Sequence, residues 1–138
     1  MKQIVVGFLD VDTAHEALRQ AAELAHRLDA KLHVVTAIES PNVEVVTSGG
    51  DRWVLSDFDR AQQAIDDFMA TVSPAPRYTV AVVEGKPAEV LIAEAERLDA
   101  DLIVVGNVRM QGPGRILGSV GNHVAHHAPC SVLISKTV

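Results

Sequence analysis

Leu102-Ile103-Val104-Val105 runs directly into Gly106-Asn107, and the glycine-spaced loop that follows ends at Gly118-Ser119-Val120. A short, continuous β-branched run of this kind reads as a strand buried on both faces. Its carboxyl end is delivered to glycines and then to a helix start. That arrangement offers bare backbone N–H groups and the positive end of a helix dipole to an anion. Phosphate is therefore the first ligand to consider.

Working outward, four further apolar runs read as strands, over residues 4–9, 32–38, 78–84 and 131–135. Helical spacing separates them. Ala14, Leu18, Ala21, Ala25 and Leu28 make one apolar stripe, and Ala61, Ile65, Phe68 and Val72 make another. Ser56 with Asp59 has the chemistry of a helix start. Pro87 suits the first turn of a third helix carrying Leu91, Ala95 and Leu98 inward, where its missing N–H costs nothing. A fourth helix should start near Gly118 and stop before Pro129. Strand and helix alternate, with crossovers long enough for parallel pairing, so the expected fold is a single-domain open α/β sheet with helices on both faces. Ligands of such sheets sit beyond the carboxyl ends of strands. No internal repeat is read, and residues 40–55 are expected to be one long irregular stretch, with Ser48-Gly49-Gly50-Asp51 as a turn.

The 138 residues are 48% apolar and 22% charged, which excludes a disordered chain. A formal charge of −6 argues against a general grip on nucleic acid or an anionic membrane. Cys130 is the single cysteine, so no internal disulfide exists, and no apolar run approaches the ~20 residues that span a bilayer. With no basic-then-apolar leader at the amino terminus, the expected compartment is the cytoplasm.

Familiar nucleotide fingerprints do not fit. Gly85-Lys86 is followed by Pro87, so the hydroxyl that a P-loop needs for magnesium is missing. Gly112, Gly114 and Gly118 are one residue too widely spaced for the dinucleotide pattern, and they follow the wrong strand.

Taken together, the segment from Ala100 through Gly106-Asn107, then Leu117-Gly118-Ser119-Val120, then His127 through Ile134, resembles the carboxyl-terminal signature of the universal stress protein family. The opening Ile4 to Gly7 and the segment Glu84 to Leu91 are similar to it too. This resemblance implies a Rossmann-like sheet of the adenine-nucleotide α-hydrolase type, with strand order 3-2-1-4-5 and homodimers through the last strand, Ser131 to Ser135. It further implies a stress-response module that binds ATP or another adenine nucleotide, AMP and cyclic AMP included, with magnesium left open. Members that bind ATP carry a G-x2-G-x9-G-[ST] loop. Here Gly106 matches the first glycine and Gly118-Ser119 the last pair, Arg109 replaces the second glycine, and the loop is one residue short. Where the family places an aspartate near the ribose stands Leu9, with Asp10 next to it. The site implied by resemblance is therefore Leu9, Asp10, Ala37, Gly106, Asn107, Arg109, Gly118, Ser119 and Val120. Arg109 has two readings: a fork onto a phosphate, or a plug in the space the glycine would leave.

Two other functions stay open at this level. One is a nucleotide-free interaction module of the same family that contacts an unidentified protein partner. The other is an adenine-nucleotide hydrolase, which would need a phosphate loop after the first strand. No catalytic set is assigned, and slow ATP hydrolysis is the most expected. His123, His126 and His127 tempt a metal reading, but no glutamate follows the first histidine and no metal is assigned. Cys130 is read as a packing residue, and Trp53 either as a lid or partner contact or as a ring tucked onto the sheet.

Overall fold

The computed structural model describes residues 1–9, 14–39, 43–48, 51–106 and 118–136, with the backbone alone for 43–48 and 51–55. Seven strands and four helices follow in the order β1 (Gln3–Gly7), α1 (Ala14–Arg27), β2 (Lys31–Ile38), β3 (Val43–Ser48), β4 (Asp51–Ser56), α2 (Asp57–Met69), β5 (Tyr78–Glu84), α3 (Pro87–Arg97), β6 (Leu102–Gly106), α4 (Ser119–His127) and β7 (Ser131–Ser135). The main sheet has the order β5-β2-β1-β6-β7, all parallel. Counting only its own strands, this is the expected 3-2-1-4-5.

Side-chain alternation divides the core into two layers. Ile4, Val6, Leu32, Val34, Leu102 and Val104 face α1 and α2, whereas Val5, Val35, Ile103 and Val105 face α3 and α4. A strand covered on both faces needs apolar residues at every position, which is why the central runs lack polar alternation. α1 buries Ala14, Leu18, Ala21 and Ala25 as expected, and its small residues let it lie close on the sheet. α2 begins with the Ser56–Asp59 capping box, and α3 has Pro87 in its first turn. Gly85 sits at φ +148°, and a Cβ there would come within 2.9 Å of a Val90 methyl, so only glycine fits ahead of α3.

Three expectations need correction. Residues 40–55 are not irregular throughout: β3 and β4 form a separate antiparallel pair, from Val43 opposite Ser56 to Ser48 opposite Asp51. Gly49 and Gly50 lie outside the described residues, and with them the centre of the turn expected at Ser48-Gly49-Gly50-Asp51. Leu28 does not extend the α1 stripe; the helix ends at Arg27 and Leu28 is exposed. Finally, a short internal repeat does exist. Arg27-Leu28-Asp29-Ala30-Lys31-Leu32-His33-Val34-Val35 and Arg97-Leu98-Asp99-Ala100-Asp101-Leu102-Ile103-Val104-Val105 build the same helix-to-strand junction. In both, the aspartate takes φ 50° and the next N–H reaches back to the helix, Ala30 to Ala25 at 2.8 Å and Ala100 to Ala95 at 2.9 Å. These are Schellman-type endings with aspartate where glycine is usual.

Candidate functional site

The carboxyl rim of the main sheet gathers the described candidates. β1 pairs with β2 through Gly7 opposite Val35, and with β6 through Val6 opposite Val104. Extending those registers places Leu9 level with Ala37 and Phe8 level with Gly106, so all three strands release their chains at one edge. The N–H of Phe8 still donates to the Val35 carbonyl at 2.7 Å, holding the strand end in place. Gly7 is tight here, since a Cβ would meet Leu91 Cδ1 at 3.1 Å and Leu9 Cδ1 at 3.2 Å.

Leu9, Ala37 and Val120 all pack on the apolar cluster of the α3/α4 face. Leu9 and Ala37, level by register, and Val120 in the first turn of α4 therefore lie on the same face of the sheet. Gly118 caps α4 with an extended backbone (φ −65°, ψ 168°) and, among the described residues, no side-chain capping bond. Helix geometry gives the N–H groups of Ser119, Val120 and Gly121 no acceptor within the helix. Asp10, Asn107 and Arg109 lie outside the described residues, as does most of the loop between Gly106 and Gly118.

The histidines of α4 and Cys130 lie away from this rim, toward the amino edge of the sheet where β7 begins. Among the described residues no group of three or more His, Cys, Asp or Glu side chains is placed to hold a metal, although the His123 and His127 rings lie 4.8 Å apart. Cys130 is half-buried and packs on the α3/α4 cluster. Burial raises its thiol pKa, the Asp101 carboxylate raises it further, and the Ile103 amide only partly offsets this, so the thiol form dominates. A cavity of about 520 Å³ lies elsewhere, between α1 and the segment after α2, lined by Arg19, Glu23, Phe68, Val72 and Pro74 among others. It contains none of the candidate residues.

One polar constellation escaped the sequence reading. His33 on β2 is only 4% exposed, with Nδ1 2.5 Å from Thr79 Oγ1 on β5 and Nε2 2.8 Å from Glu94 Oε2 on α3. Arg97 donates to the same Glu94 oxygen at 2.6 Å. The Arg97 guanidinium, more than the His33 ring, lowers the Glu94 carboxyl pKa against the opposing effect of burial. The signal was present: His33 interrupts an apolar strand, and Glu94 sits three residues after Leu91 on the buried side of α3.

The open parallel sheet with helices on both faces places the chain among doubly wound α/β proteins, whose ligands, where they have them, sit beyond the carboxyl ends of the strands. The family model for the universal stress protein family matches residues 1–136, and the chain belongs to that family. A universal stress protein of Methanocaldococcus jannaschii is 30% identical over 141 residues, spanning 98% of this chain and 82% of that protein. Among solved structures, a universal stress protein crystallised in complex with cAMP superposes with a TM-score of 0.74 at 29% identity, covering 99% of this chain and 98% of the other. An Archaeoglobus fulgidus universal stress protein in complex with dAMP shares the fold, with a TM-score of 0.68 at 22% identity over 97% of both chains. No helix among the described residues is long and apolar enough to cross a membrane.

Proposed function

We propose that this chain is a stress-response module that binds an adenine nucleotide at the carboxyl rim, with nucleoside monophosphates, cyclic AMP included, as its preferred ligands. The observation that carries this reading is that Leu9 and Ala37, level at the rim by register, pack on the same face as Val120, which lies in the first turn of α4. An apolar shelf accepts the flat base, and amide donors at a helix start accept one phosphate. The similar protein crystallised with cAMP supports the choice of a monophosphate. So does the loop, which is one residue short of the triphosphate-binding pattern. In this reading Gly106, Asn107 and Arg109 border the phosphate, Asp10 borders the ribose, and any ATP hydrolysis is slow.

The test is a thermal-shift series against ATP, ADP, AMP and cyclic AMP. Ligand at a hundred times its dissociation constant adds about 2.7 kcal/mol, a rise of several degrees for a domain of this size. If none of the four moves the transition, the reading fails and a nucleotide-free module acting through protein partners takes its place.

The proposed assembly is a homodimer through β7 in the cytosol. Leu133, at the centre of this outer strand, is 41% exposed, which an apolar partner surface would cover. Leu133→Asp should convert the dimer to monomer in sedimentation equilibrium, whereas a wild-type monomer removes the proposal.

A further inference from the structure

We infer that Thr79 is a nucleophilic acyl-acceptor site, activated by His33 and Glu94, which takes an acyl group from small activated donors such as aryl esters, thioesters or acyl phosphates. The site lies on β5, β2 and α3 and is independent of the nucleotide rim.

Hydrogen-bond bookkeeping sets the roles. Glu94, held ionised beside Arg97, has no proton to give, so its contact with His33 Nε2 requires the ring to donate N–H there. In the neutral ring Nδ1 is then a bare lone pair, and the hydroxyl 2.5 Å away must donate to it. The result is a nucleophile bonded to a base whose tautomer is set by a third group, the arrangement that activates hydroxyl nucleophiles. The two ends differ in access, since His33 is 4% exposed while Thr79 lies open on the outer strand of the sheet. The donor accordingly approaches from the Thr79 side, not through the core. Register adds a feature beside it. Leu32 N–H bonds to the Arg77 carbonyl and Leu32 pairs with Tyr78, so the Thr79 peptide group faces β2 and that of Val80 faces outward. The Val80 N–H thus points outward in the plane of the sheet one residue after the nucleophile.

The step is a simple transfer. Thr79 Oγ1 forms a bond to the acyl carbon, the bond from that carbon to its oxygen or sulfur leaving group breaks, and the hydroxyl proton passes to His33 Nδ1. The imidazolium is stabilised by Glu94 and returns the proton to the leaving group. The product is an acyl-threonine ester, with no oxidant, reductant or metal consumed.

Thr71 supplies an internal control. It is also exposed, but its hydroxyl donates to the Phe68 carbonyl at 2.7 Å instead of to a histidine nitrogen. The folded full chain is treated with 4-nitrophenyl acetate, and acetylation at each threonine is followed by peptide mass spectrometry. Thr79 should be acetylated at least about tenfold faster than Thr71, a modest share of what general-base assistance supplies. Glu94→Gln, which no longer dictates the tautomer, should lower that ratio severalfold, and His33→Asn should abolish it. Thr79→Ser should retain it. Equal labelling of Thr79 and Thr71 in the wild-type chain overturns the inference, as does a ratio unchanged by Glu94→Gln. Because both threonines are read in one folded sample, the wild-type ratio decides the matter even if His33→Asn fails to fold.

Discussion

Adding one methyl group at Gly7 tests whether the rim is as closely packed as its geometry states. The new Cβ of Gly7→Ala would stand 3.1 Å from Leu91 Cδ1 and 3.2 Å from Leu9 Cδ1, and Leu91 is fully buried. Overpacking of this kind costs about 1–3 kcal/mol. Replacing glycine at an unstrained position returns about 0.4–1 kcal/mol through the unfolded chain. Overpacking wins, and a net loss of about 1 kcal/mol is expected. Leu91→Ala alone should cost about 2–5 kcal/mol by leaving a cavity. In the double variant the Leu91 obstruction is gone and the alanine methyl enters the space it left. The two costs should therefore sum to more than the double variant loses, by about 1–2 kcal/mol of coupling, since the residues touch. Urea unfolding of the four proteins measures this, with unchanged m-values confirming that the unfolded states are comparable. Additivity within about 0.5 kcal/mol would refute the contact, and a stabilised Gly7→Ala would refute the overpacking outright.

Ser119→Pro should leave the fold intact and weaken AMP or cyclic AMP binding by about ten- to a hundredfold in calorimetry. Proline is accepted at the first helical position, and Gly118 is already extended as a residue before proline must be, yet one phosphate-facing N–H is lost; unchanged affinity would move the phosphate elsewhere. Asp99→Gly should raise stability by up to about 1 kcal/mol in urea, because glycine adopts the left-handed turn at φ 50° without strain; a loss would mean that the aspartate side chain contributes more than its backbone costs. Lowering pH should destabilise the protein through Glu94 and Asp101. The folded-state pKa of Glu94 is depressed first by Arg97, and that of Asp101 first by the Lys2 N–H and then by the Gln3 N–H. Depressed carboxylates stabilise above their unfolded pKa, about 4, and that contribution is lost as pH falls through the lower folded values. Melting temperatures from pH 6 to 3 should therefore fall less steeply for Glu94→Gln and Asp101→Asn than for wild type, and parallel curves would dismiss both groups.

The layers and strand order were legible because burial on two faces leaves a strong imprint. Ile4, Val5 and Val6 are all fully buried although they alternate between two cores, and in an α/β chain a short run with no polar member fits a central strand far better than an edge strand or a surface helix. The helix starts at Ser56 and Pro87 were legible for a local reason, since each is set by its own side chain or ring. The β3–β4 pair was not. Residues 40–55 were read as one long irregular stretch with a turn at 48–51, and the runs on either side of that turn were not taken as strands. Leu28 misled for the opposite reason. Its spacing continues the α1 stripe, but Asp29 turns the chain left-handed, so periodicity carries on where the helix has stopped.

The rim was harder to read because backbone supplies much of what it offers a ligand. At Ala37 and Gly118 the groups that would meet a base or phosphate are carbonyls and amides present in every residue, so sequence constrains only where a side chain would intrude. Glycine and small residues are legible there as permissions, and permissions do not distinguish a used site from an unused one. Leu9 shows the consequence. Its packing beside Gly7 explains a leucine without any ligand, and the same packing makes the apolar shelf on which a base would lie. The His33–Thr79–Glu94 constellation is the converse case. Its chemistry resides in side chains, but they come from three elements and meet only through the pairing of His33 with Thr79 across β2 and β5. Linear spacing contains no trace of that rung. A buried histidine in a mostly apolar strand demands partners for both ring nitrogens, and an acid on the inner side of α3 is a residue able to meet one of them.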